Sequence, residues 1–118
     1  MTPDEVYDAV LAFLDQFITR GAAPDILNLR ERLVSDPEAR QLLGEQVPSR
    51  DVSEGEAFDA MRAFFAAEWE RGERTSYAPG APDLVLLESW TSWESDGGTS
   101  DPAQWHDWLA AVERAKRE

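Results

Sequence analysis

Apolar residues fall at helical spacing in two long stretches of this chain, and the two stretches resemble one another. Residues 5–21 read EVYDAVLAFLDQFITRG, with Val6, Val10, Phe13, Leu14 and Phe17 on one side and Asp8, Asp15 and Thr19 towards the other. Residues 56–72 read EAFDAMRAFFAAEWERG, with Phe58, Met61, Phe64, Phe65 and Trp69 as large apolar positions and Ala57, Ala60, Ala63, Ala66 and Ala67 between them. Asp59, Arg62 and Glu70 leave only a narrow polar strip. A helix apolar around most of its circumference is usually central to a fold. The second stretch is therefore expected to be the core helix, packed on its N-terminal counterpart.

Laid over one another, the stretches agree at Glu5/Glu56, Asp8/Asp59, Ala9/Ala60, Ala12/Ala63, Phe13/Phe64, Arg20/Arg71 and Gly21/Gly72. The residues after each copy also recur in order. Ala23-Pro24-Asp25-Ile26-Leu27 is answered by Ala81-Pro82-Asp83-Leu84-Val85, and Ser35-Asp36-Pro37 by Ser100-Asp101-Pro102. Two amphipathic helices rich in Ala and Phe can look alike without common origin. Recurring landmarks in one order are the mark of duplication, which predicts a pseudo-two-fold domain with copies at 2–44 and 53–115.

Local signals predict an all-α single domain spanning 1–118, with about six helices. Thr2-Pro3-x-Glu5 and Ser53-x-x-Glu56 are capping boxes, the first with proline where a missing N–H is harmless. Gly21 is expected to end the first helix. A second helix is expected from Pro24 and Asp25 to about Val34, with Ile26, Leu29 and Leu33 inward and Arg30, Glu31 and Arg32 outward. Asp36-Pro37 opens a short third helix, stopped by Gly44. Residues 45–51, with Pro48, read as the loop between the copies, and 73–80 as a polar turn. Residues 83–93, DLVLLESWTSW, fit either a buried strand or a helix; the helical counterpart ILNLRERL favours helix. Asp101-Pro102-x-Gln104 opens the last helix, whose apolar face is Trp105, Trp108, Leu109 and Val112.

Composition narrows the function. The chain has 118 residues, 42% of them apolar, which suits one domain with its own core. Net charge is -13. A polyanion repels nucleic acid and anionic membrane and attracts basic partners. Residues 51–118 carry about -9 of that charge by residue count, against about -4 before them. With no Cys, no disulfide or thiolate chemistry is open. No apolar run reaches the ~20 residues of a membrane span, and the acidic N-terminus lacks a signal peptide's basic start; a cytoplasmic location is expected. Ten of the eleven basic residues are Arg and alanine is abundant, which hints at a GC-rich bacterial genome.

Reactive chemistry finds little to work with. His106 is the single histidine and lies away from the apolar stripe, so neither a zinc site nor a Ser-His-Asp set is expected. Asp96-Gly97-Gly98-Thr99-Ser100-Asp101 lacks calcium-loop spacing, and its carboxylates would repel phosphate. No catalytic residue, metal ligand or cofactor is expected. Of carboxylate pairs, Glu68 with Glu70 and Asp101 with Asp107 stand close in sequence, outside any recognisable acid/base motif. All five Trp residues, at 69, 90, 93, 105 and 108, lie in the second copy; core packing accounts for most, and Trp is also a common interface anchor.

The run Asp96-Gly97-Gly98-Thr99-x-Asp101-Pro102-x-x-Trp105-x-Asp107-Trp108-Leu109, with Ala57-x-x-Ala60-Met61-x-x-Phe64 and Trp69-Glu70-Arg71, resembles small acidic helical bacterial proteins of unknown function. Some of these are similar to immunity proteins of contact-dependent or secreted toxin systems. The resemblance covers about residues 53–115 and brings no catalytic role. Together with the charge, it implies a non-enzymatic domain that binds a basic protein, such as a toxin nuclease. The expected contact residues are Glu73, Glu88, Trp90, Trp93, Glu94 and Asp96. A DNA-mimicking inhibitor and, more remotely, a carboxylate-based enzyme are the alternatives.

Overall fold

Helices begin in this protein where short side chains and prolines can satisfy or remove the first N–H groups. A computed structural model describes residues 1–19, 24–75 and 102–117, which form helices α1 (Pro3–Thr19), α2 (Pro24–Ser35), α3 (Pro37–Gln46), α4 (Glu54–Thr75) and α5 (Pro102–Arg117). Among the described residues there is no strand. At α1, the Thr2 N–H donates to Glu5 Oε1 at 2.8 Å and the Glu5 N–H to Thr2 Oγ1 at 3.2 Å. At α4, the Ser53 and Glu56 N–H groups exchange the same two bonds, each 3.1 Å. Asp36 caps α3 by accepting from the Glu38 N–H at 3.0 Å, with Pro37 in the first turn.

Two glycines do not act as stops. α3 continues through Gly44 to Gln46, and α4 continues through Gly72 to Thr75. Glycine permits a left-handed cap but does not impose one. The end of α3 is set by the residues just beyond it. Val47 precedes Pro48, and the proline ring pushes it to extended backbone, φ -98° and ψ 123°. Gly21 and the predicted helix at 83–93 lie outside the described residues, so five of the six expected helices are described.

The core sits where α1, α4 and α5 converge. Phe13 of α1 meets Phe58 of α4 edge-on, centroids 6.4 Å apart, and Trp108 of α5 at 6.1 Å. Phe58 also packs against Trp108 at 5.7 Å and Trp105 at 5.4 Å. Such edge-to-face pairs add to the area they bury. The Trp108 indole N–H is satisfied by the Glu54 carbonyl at 2.9 Å. Val6, Val10, Leu14, Ala57, Met61, Phe64, Phe65 and Ala111 belong to the same buried cluster, which Ile26, Leu29 and Leu33 of α2 and Leu43 of α3 extend.

The expected pairing of α4 with α1 is seen as a meeting of side chains in the core, such as Phe13 with Phe58, rather than as helices lying along one another. The backbone of α1 lies chiefly along α5, and that of α4 chiefly along α3. Of the α4 alanines, Ala57 and Ala60 are buried at helix contacts, whereas Ala63 and Ala66 face solvent. Immediately before each capping box, Met1 and Val52 bond reciprocally. The Met1 ammonium donates to the Val52 carbonyl at 2.6 Å and the Val52 N–H to the Met1 carbonyl at 2.9 Å. α2 and α3 are joined to α1 through Tyr7. Its hydroxyl donates to the Leu33 carbonyl at 3.0 Å, in the last turn of α2, and the Arg40 guanidinium of α3 lies 4.2 Å from its ring centroid.

Candidate functional site

A charged residue on an apolar helical face marks the site. Glu68 follows Phe64 by four positions and Met61 by seven, which turns it towards the interior of α4. Its side chain is 3% exposed. An ionised carboxylate so buried needs a partner, and Arg32 of α2 supplies one through Nη1 to Glu68 Oε2. Arg32 also reaches Asp36, the cap of α3, at 3.5 Å. One guanidinium thereby ties α2, the start of α3 and the interior of α4. The expectation that Arg32 faces outward is corrected: its side chain is 14% exposed. Arg30, also expected outward, is half-buried and paired with Asp15 of α1, whereas Glu31 is exposed as expected.

Beside this pair an open cleft of about 370 Å³ runs between α3 and α4. Arg32, Gln41, Leu42 and Ala67 form part of its wall. Among the described residues, four carboxylates, those of Glu38, Glu45, Glu68 and Glu70, line it with one guanidinium, that of Arg32. Its size falls at the lower end of the ~300–1,000 Å³ range of ligand sites. Glu68 Oε1 is buried and makes no hydrogen bond among the described residues. No three His, Cys, Asp or Glu side chains among the described residues converge as a metal site would require. A smaller hollow of about 180 Å³ between α1 and α5 is lined by Asp8, Leu11, Ala12, Asp15, Arg114 and Ala115.

Of the residues picked from the sequence, Glu73 belongs to α4, one turn beyond Glu70. Glu88, Trp90, Trp93, Glu94 and Asp96 lie outside the described residues. His106 is exposed on α5. Trp108 is fully buried, and Trp105 is partly buried against Phe58. Glu68 and Glu70, noted only as neighbours in sequence, are both at the cleft but in unlike settings, one buried and one exposed. Asp107 is half-buried, and Asp101 lies outside the described residues. Sequence reasoning missed Arg32 as a cleft residue, although it follows the buried Leu29 by three positions, a spacing that brings it onto the same face.

Comparison of the chain with family models, curated proteins and solved structures finds no match. What can be said of its class comes from its own architecture: an all-α, strongly acidic chain with a carboxylate-lined cleft. No helix among the described residues is long and apolar enough to cross a membrane.

Proposed function

We propose that this protein is a non-enzymatic acidic domain that binds a basic protein, in the manner of an immunity or inhibitor protein that neutralises a basic toxin. The net charge of -13 carries the reading. A surplus of this size steers a cationic partner and discourages anionic ones. The cleft between α3 and α4 supports it, since its lining among the described residues holds four carboxylates and one guanidinium. So does the resemblance of the 96–109 run to small acidic bacterial proteins. The contact face is assigned to Glu73, Glu88, Trp90, Trp93, Glu94 and Asp96, with Trp90 and Trp93 as anchors. Cytoplasmic residence fits a protein that meets an incoming or newly made toxin.

Capture from the native host on immobilised protein, with salt elution, tests this. The expected result is one basic protein whose affinity for the purified chain falls as salt rises. Retention of acidic or neutral proteins alone, or affinity indifferent to salt, refutes it. Retention of DNA-binding proteins released by competing duplex would favour the DNA-mimic alternative.

We further propose that the fold is a duplicated three-helix unit of six helices, the sixth lying in 83–93. Three observations support it. The capping boxes at Thr2–Glu5 and Ser53–Glu56 make the same paired bonds. Met1 and Val52, equivalent in the two copies and 51 residues apart, each donate to the other, as residues beside a two-fold axis do. The first helix of each copy runs along the last helix of the other, α1 on α5 and α4 on α3. Backbone chemical shifts at 83–93 test the added helix; extended-strand values there would remove it.

A further inference from the structure

From the charge and hydrogen-bonding state of the cleft between α3 and α4, we infer that it receives an arginine side chain of a basic protein partner. The inference rests on the binding function proposed above and names the site and the group recognised. Glu68 carries the argument. It is more than nine-tenths buried, forms part of the cleft wall, and has Oε2 engaged by Arg32 while Oε1 makes no hydrogen bond among the described residues. A buried carboxylate oxygen without a donor is an unmet demand; Oε1 is enclosed here, so a ligand's N–H groups meet it once the Glu68 carboxylate turns towards the cleft. Glu45 and Glu70, exposed on the two helices that flank the cleft, keep the surplus negative where such a group would enter.

The form of the cation is set by the layout. The carboxylates do not gather into a metal-sized set among the described residues, so a compact divalent ion is not what they fit. They are spread along two helices around an open space of about 370 Å³. A guanidinium has five N–H donors in a rigid fork and can reach several separated acceptors at once, whereas an ammonium acts as one strongly hydrated point. Leu42 and Ala67 offer apolar wall for the methylene stem of such a side chain.

The test is titration of the full ¹⁵N-labelled chain with acetyl-Gly-Arg-Gly-amide at low salt, with the citrulline and lysine tripeptides as neutral and ammonium controls. Saturable amide shifts at Gln41, Leu42, Glu45 and Ala67 are expected for the arginine peptide, with Kd of about millimolar order for so small a ligand. The citrulline peptide should leave these amides unmoved and the lysine peptide should bind more weakly. The double variant E45Q/E70Q changes two exposed helical side chains and should keep the spectrum of the folded protein. Its affinity for the arginine peptide should fall about three- to tenfold, as loss of two solvent-exposed charge contacts implies. Shifts scattered over the whole acidic surface, equal response to lysine and arginine, or undiminished binding by E45Q/E70Q would overturn the assignment. A basic partner protein that E45Q/E70Q captures as well as the parent does would remove the cleft from the interface while leaving the binding function standing. Capture of no basic protein by the parent chain would remove the function itself.

Discussion

At the scale of single residues, two side chains on α4 show opposite ways of being buried. Phe64 is fully enclosed and apolar. Phe64→Ala should cost ~3–5 kcal/mol in chemical denaturation, as large core truncations do; a loss below ~1 kcal/mol would place it with surface changes. Glu68 is buried at an ion pair. Removing one partner strands the other, so Glu68→Met alone should destabilise by about 3 kcal/mol. Arg32→Met/Glu68→Met should cost less than its two single changes summed, because neither charge is left behind; additive costs would deny the pairing. The placement of Phe64 could be read from the sequence, because helical spacing alone turns it inward. The pairing could not, because its partners are 36 residues apart and meet only when α2 and α4 are brought together.

Among elements, helix starts were more legible than helix ends. A start depends on a few adjacent side chains, and Thr2, Asp36, Ser53 and Pro102 stand where those rules put them. An end depends on whether the next residues can continue, which is why Gly44 and Gly72 are carried inside helices. Gly44 thereby becomes a weak point: a Cβ built there meets nothing within 4 Å. Gly44→Ala should raise stability by about 0.5–1 kcal/mol, the helix-interior penalty of glycine, read as a higher urea midpoint. The start of α4 has a pH signature. A hydrogen bond from Arg50, then one from the Ser53 N–H, draws the Glu56 carboxyl from its usual 4.5 down to about 2. The folded state therefore favours ionised Glu56. The stabilisation is present above pH 4.5 and is lost as pH falls from 4.5 towards 2. The stability gap between the parent and Glu56→Gln should be constant near neutrality and close over that window; a gap still open at pH 2 would contradict it. The pair is exposed to water, so the gap is small. Of the predicted contact residues, only Glu73 falls on a described element; the cleft was missed because it arises between α3 and α4, and no local pattern spans both.

For the whole molecule, the radius of gyration of 13.3 Å matches the roughly 13.5 Å of one compact domain of this length. Its layout sets the two halves against each other among the described residues, because α1 runs along α5 and α4 along α3. Residues 1–52 alone should be largely unfolded by circular dichroism, and equimolar mixing with 53–118 should restore helix; a stably folded 1–52 would contradict the exchanged packing. The same layout bears on synthesis. While the ribosome is still extending the chain, Val6, Val10 and Phe13 lack the part of their surroundings that the sixteen-residue α5 supplies. That face of α1 is therefore completed only after α5 has been made. The waiting segment is sticky, and chaperones that hold exposed apolar helices would find it before its own C-terminal neighbour does.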